Sequence, residues 1–238
     1  MPTDRVLDWT SYRAVLFDLD GVVTPTAEIH ERAWAELFAD YDYSQADYLA
    51  YIDGKPRYDG VAAFLDSRGL SLPWGDPSDP PGDSTVCALG NKKNEKFNEI
   101  LERDHIAPYP GTIAVVELLE SNGIAQAIVS SSKNARAVLA AAGLEGRFGV
   151  IVDGVTAVEE SLAGKPAPDM FQHAARQLGV EADACVVVED AVAGVGAGAA
   201  GGFGFVLGVD RGGNGQALAD AGASAVVEDL DETLRAGE

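Results

Sequence analysis

Six short apolar runs with helical stretches fitted between them restrict this chain more than any other feature. They are Ala14–Phe17, Ile124–Val129, Val150–Val152, Cys185–Val188, Gly204–Gly208 and Ala225–Val227. Runs so short and so continuously apolar suit strands buried on both faces, as in a parallel sheet covered by helices on either side. Helical spacing falls near Thr112–Ser121, Ala135–Ala142, Asp169–Leu178, Val192–Ala199 and Gln216–Ala221. Pro168 marks one helix start, where its missing N–H is not needed. The predicted class is α/β, and 238 residues leave room for a second, smaller unit.

That second unit interrupts the alternation. From about residue 27 to 107 the pattern reads as helices broken by turns. The first helix carries His30, Ala33, Trp34, Leu37 and Phe38 on one stripe. "LSLPWGDPSDPPGDST", Leu70 to Thr85, is dense in proline, glycine and aspartate and reads as a loop, after which "NKKNEKFNEILERD" resumes helix. The expected organisation is a core of residues 1–26 and 108–238 with a helical cap inserted at 27–107.

In an open α/β sheet, ligands bind beyond the carboxyl ends of the strands. The first run ends in Asp18-Leu19-Asp20, the second in Ser130 to Asn134, and the fourth in Glu189-Asp190, while the loop after the third offers Lys165. Two neighbouring carboxylates stay ionised together when a cation sits between them. Asp18, Asp20 and Asp190 are hard oxygen donors, which points to Mg²⁺. Serine hydroxyls, a helix N-terminus and Lys165 can receive a phosphate. Asp18 then serves as a nucleophile that takes the phosphoryl group, and Asp20 as the acid and base for the exchanging oxygens. Singly, each cluster has a plainer role as a turn, a cap or a solvated lysine. Their common position at strand ends is what the plainer roles leave unexplained.

The charge balance narrows the partners. With 17 Lys+Arg against 38 Asp+Glu, a net charge of −21 excludes nucleic acid as a general partner. An anionic small molecule then requires a pocket where the few cations converge. Two distant cysteines, Cys87 and Cys185, fit a reducing cytoplasm, and the start of the chain lacks the layout of a signal peptide. Ala191 to Val209 carries no charge, but its glycines favour a helix, a turn and a buried strand over a membrane span. Gly196, Gly198 and Gly201 spell a dinucleotide fingerprint in the wrong place, after the strand–helix turn, so helix–sheet packing accounts for them better. His30 lies on the apolar stripe, where a packing role and a site role are both open. His105 and His173 read as incidental.

"FDLDGV", the serine-lysine-asparagine run, "GKPAPD" and "VVVED", in this order, resemble the haloacid dehalogenase superfamily and, within it, the β-phosphoglucomutase family over nearly the whole chain. The resemblance implies a Rossmann-like core, with Asp18 phosphorylated and Asp20 as acid/base. It implies Mg²⁺ held by Asp18, Asp190 and the Asp20 carbonyl with support from Glu189, and Ser130 and Lys165 gripping the transferring group. By the same match Arg57 meets the phosphate that is not transferred, and Lys93 and Asn94 meet the sugar. Ser132, Lys133 and Asn134 form the distal phosphate site, and Thr26, His30, Trp34 and Ser131 complete the substrate-binding set. The 70–85 loop, Pro25 and Ser131 depart from the family pattern. The expected activity is interconversion of β-glucose 1-phosphate and glucose 6-phosphate by a monomer whose cap closes on a phosphorylated sugar. A sugar-phosphate phosphatase and a non-catalytic phosphosugar-binding protein are the alternatives.

Overall fold

The computed structural model describes residues 7–103 and 106–234. Its centre is a six-stranded, wholly parallel sheet of order β3-β2-β1-β4-β5-β6. The strands are β1 (Ala14–Phe17), β2 (Ala125–Val129), β3 (Val150–Val152), β4 (Cys185–Glu189), β5 (Phe205–Val209) and β6 (Ala225–Val227). All six apolar runs become strands, with ends shifted by at most one residue.

β1 and β4 are buried along their full length and lie side by side, with Leu16 opposite Val187. From β1 the chain moves to β2 and β3 on one side. It then returns to place β4, β5 and β6 on the other. The reversal puts the switch point between β1 and β4, where a crevice opens at the carboxyl ends.

Side-chain alternation divides the core between the two faces. Val15 and Phe17 pack with Val115, Val116 and Leu119 of helix Pro110–Ser121, whereas Ala14 and Leu16 pack with Met170, Phe171 and Ala174 of helix Asp169–Leu178. The uncharged stretch Ala191 to Val209 resolves into helix Val192–Ala200, a turn and β5. Among the described residues no helix is long and apolar enough to cross a membrane. A Cβ at Gly198 would meet Val187 and Val206 side chains at 3.1–3.2 Å, so this glycine sets the helix close on the sheet. Gly196 meets only Pro166, at 3.8 Å, so close packing does not require it.

Between Thr26 and Arg103 the chain builds a separate aromatic core. Phe64 is fully buried, its ring 4.1 Å from Phe38 and 5.5 Å from Tyr43, with Trp34, Leu37, Ile52, Val61 and Leu89 around them. Three longer helices supply it, Thr26–Leu37, Arg57–Ser67 and Val86–Arg103. The last begins five residues before the expected "NKKNE". Leu70 to Thr85 is irregular as expected, yet tied down: the Asn91 amide donates to Pro77 O at 3.1 Å and Asp79 O at 2.8 Å.

One helix was not foreseen. Gly154–Glu159 is short and rich in β-branched residues, and it forms because Asp153 caps it, accepting from Val155 and Thr156 N–H at 3.0 and 2.9 Å. His105 lies outside the described residues. His173 Nε2 lies 2.7 Å from the Gln177 side-chain nitrogen, away from the site.

Candidate active site

The Asp18 N–H continues the ladder past β1, donating to Val188 O at 2.9 Å. Leu19 is fully buried, and its carbonyl accepts from Val23 and Thr24 N–H at 3.0 Å. Anchoring the middle residue in the core leaves Asp18 and Asp20 on the wall of one cavity. Gly21 has φ +90°, and a Cβ there would fall 1.8 Å from Asp190 Oδ2. Only glycine accepts both the backbone angle and the approach.

Lys165 is buried behind that wall with all its donors used. They reach Asp18 Oδ1 at 2.5 Å, Glu189 Oε1 at 2.6 Å and Val129 O at 3.0 Å. Burial disfavours its ammonium, but Asp18 and then Glu189 outweigh burial and hold the group above its ordinary range. Glu189 also accepts from Ala191 N–H at 3.0 Å.

Asp18, Glu189 and Asp190 each offer an oxygen, all within 4.8 Å of one another. Burial, more than any neighbour, pushes Asp18 well above the carboxylate range; Lys165 opposes it and Glu189 adds to it. Asp190 rises likewise, by burial first and then by Asp53 and Glu189. Two buried carboxyls and the half-buried Asp190 against one lysine are short of positive charge. An all-oxygen set with that deficit fits a hard divalent cation.

Asp20 lives in different surroundings. Thr26 donates to its Oδ1 at 2.5 Å, Ser130 donates to Oδ2 at 3.2 Å, and His30 Nε2 stands 3.4 Å from Oδ1. Burial would raise Asp20, but His30, the Thr26 hydroxyl and Lys93 outweigh it and bring the carboxyl down to about 2. His30 itself is lowered by burial and then by Lys93, whose ammonium contacts Nδ1. Its ring also stacks on Phe97 at 4.1 Å, so packing and site roles coincide in one residue.

The helical segment contributes His30, Trp34, Arg57 and Lys93 to the cavity, and the core contributes Ser131, Ser132 and Lys133. Lys93, Arg57 and Lys133 are all depressed, by burial in the first place, and Arg57 further lowers both lysines. Among the described residues none of the three forms an ion pair with a carboxylate. Lys93 lies 5.1 Å from the Trp34 ring centre.

Five expected site residues stand off the cavity wall: Lys165, buried behind it, and Asn94, Asn134, Thr26 and Ser130. Asn94 Oδ1 accepts from Arg57 Nη2 at 2.8 Å and from Asn134 Nδ2 at 2.6 Å, so this pair clasps the helical segment to the core. Thr26 acts on Asp20 rather than facing the cavity. Ser130 likewise reaches the site through Asp20.

Sequence reading missed two groups. Arg211, past β5, donates from Nε to Gly21 O at 3.0 Å and from Nη1 to Asp229 Oδ2 at 2.7 Å, bracing the turn between the carboxylates. The same rule of strand ends would have found it. Asp53 lines the cavity beside Gly54 and Lys55. Burial and then Glu189 push its carboxyl up to about 7. Its nearness to Arg57 in "DGKPR" was the available signal.

Comparison with known proteins agrees with this geometry. A family model described as haloacid dehalogenase-like hydrolase matches residues 12–202. The chain is 45% identical to the β-phosphoglucomutase of Mycobacterium bovis, across 93% of this chain and 91% of that protein. It is 32% identical to the fructose-1-phosphate phosphatase of Escherichia coli, across 81% of this chain and 94% of that one. Its fold matches the crystal structure of β-phosphoglucomutase from Clostridium difficile with a TM-score of 0.77 and 26% identity, covering 94% of this chain and 93% of the other. The strand-end carboxylates, the buried lysine and these matches converge: the chain is an enzyme of the haloacid dehalogenase-like hydrolase family, and of its β-phosphoglucomutase-like kind.

Proposed function

We propose that the protein interconverts β-glucose 1-phosphate and glucose 6-phosphate through a sugar bisphosphate. The observation that carries this reading is the grouping of Arg57, Lys93 and Lys133. In a chain of net charge −21, these three cations line one cavity, with Lys55 beside them, and none has an ion-paired carboxylate among the described residues. A second phosphate, distant from the one at Asp18, supplies the missing anion, and Arg57 can grip it bidentately. The similarity to the Mycobacterium bovis enzyme supports the same reading.

In this reading Asp18 Oδ attacks phosphorus, the phosphorus–oxygen bond to the sugar breaks, and the sugar oxygen takes from Asp20 the proton that this carboxylate removed from a sugar hydroxyl in the preceding half-reaction. Asp20, ionised when the site is empty, removes the proton from the next hydroxyl as that oxygen attacks the aspartyl-phosphate. Lys165, by exchanging its Asp18 contact, and Ser130, by exchanging its Asp20 contact, hold the transferring group, while Ser131, Ser132 and Asn134 shape the distal end. His30 Nε2 is buried 3.4 Å from Asp20 Oδ1, with no partner at hydrogen-bond geometry, and can turn to a sugar hydroxyl. Mg²⁺, held by Asp18, Asp190, the Asp20 carbonyl and Glu189, would neutralise the carboxylates and draw charge from the phosphoryl oxygens. Residues 27–107 act as the cap and the remainder as the phosphoryl-transfer core.

Incubation with β-glucose 1-phosphate, Mg²⁺ and a trace of the 1,6-bisphosphate yields glucose 6-phosphate on this reading. Free phosphate with no isomer overturns it in favour of a phosphatase, the activity carried by the 32% identical Escherichia coli relative.

A further inference from the structure

We propose that Asp53 is a cap-borne acceptor for the water shell of a cation held by Asp18, Glu189 and Asp190, so that cation binding and cap closure favour each other. The inference rests on the metal site and cap of the preceding reading and adds a residue to them.

The backbone brings Asp53 to the core. It follows the π-helical turn Tyr48–Ile52 and precedes Gly54. Gly54 sits so near the core that a Cβ on it would come within 3.1 Å of the Ala191 and Ala193 methyl groups. Its carbonyl accepts from Ser131 Oγ at 3.0 Å. Residue 53 is therefore held one step from the Asp190–Ala191 corner. Asp53 and Asp190 line the substrate cavity together, and the same two residues line a second groove that runs toward Tyr109 and Arg211. Water reaches the pair from that side.

Asp53 has no cationic partner within ion-pair distance among the described residues. The closed arrangement thus sets four carboxyls against Lys165, and their mutual repulsion opposes closure until positive charge arrives. Asp53 lies outside the set whose oxygens fall within 4.8 Å of one another, which argues against direct ligation. Magnesium keeps several of its waters, and a carboxylate accepting from them orients the shell. Linkage then fixes the reciprocity: the factor by which closure tightens cation binding equals the factor by which the cation favours closure.

Calorimetric titration with Mg²⁺ and small-angle scattering with and without Mg²⁺ test this on the wild type, Asp53→Asn and Asp53→Ala. The wild type is expected to be more compact with Mg²⁺ than after chelation. Both variants are expected to bind Mg²⁺ roughly 10-fold more weakly and to be as compact without the cation as with it. Equal Mg²⁺ affinity in all three proteins, or a wild-type radius of gyration indifferent to Mg²⁺, overturns the proposal and leaves the phosphotransfer reading standing. A wild type that binds no divalent cation overturns both. The wild-type scattering comparison involves no substitution and decides the matter even where a variant misfolds.

Discussion

Lys165 and Asp18 are joined across 147 residues of sequence by a buried 2.5 Å contact, with Glu189 on the same ammonium at 2.6 Å. The lysine is therefore structural as well as chemical. Removing it leaves two carboxyls uncompensated in the interior. Lys165→Met is expected to lose about 3–5 kcal/mol of stability in urea unfolding, with no detectable turnover. An unchanged midpoint would mean that the ion pair contributes nothing to the fold.

Arg57 is set by Asn94 and, at 3.4 Å, by Asn91. Arg57→Lys keeps the charge and loses the planar fork. Isomer formation is expected to fall roughly 10- to 100-fold, the loss of one charged hydrogen bond of about 1.5–3 kcal/mol. Phosphate release should fall less, and a coupled assay for glucose 6-phosphate beside a phosphate assay reads the ratio.

Lys93 titrates below its ordinary range because burial and Arg57 disfavour its charge. A bound phosphate reverses that balance and restores the lysine toward its ordinary value. Between the depressed and restored values, binding takes up a proton; below the depressed value the lysine is already charged and uptake vanishes. Calorimetry of inorganic phosphate binding in two buffers of different ionisation enthalpy measures this. Lys93→Met should abolish the uptake.

Phe64 anchors the aromatic core between Thr26 and Arg103. Phe64→Ala is expected to cost about 3–5 kcal/mol. Hydrogen exchange should quicken in Thr26–Leu37 and Arg57–Ser67 while the amides of β1 and β4 stay protected. Uniform loss of protection would argue against an independent cap.

The sheet was legible in the sequence because each strand is a short apolar run, and the carboxylates were legible because they sit where those runs stop. Gly154–Glu159 was not, since its formation is decided by the Asp153 side chain rather than by the propensity of its own residues. Asn94 and Asn134, expected at the sugar and at the distal phosphate, instead hydrogen-bond to each other across distant segments. Asp53 and Arg211 each had a local signal, nearness to Arg57 and a place past a strand end, but their importance comes from an approach between distant segments, Gly54 to Ala191 and Arg211 to Gly21.

The clasp at Asn94 has a last consequence. Arg57 is steadied by the same amide that Asn134 holds from the opposite half of the molecule. Swinging the halves apart strips the guanidinium of that support. On the function proposed above, a ligand gripped at its far end is therefore a ligand already sheltered from solvent, and hydrolysis is held off by the act of recognition rather than by a separate guard.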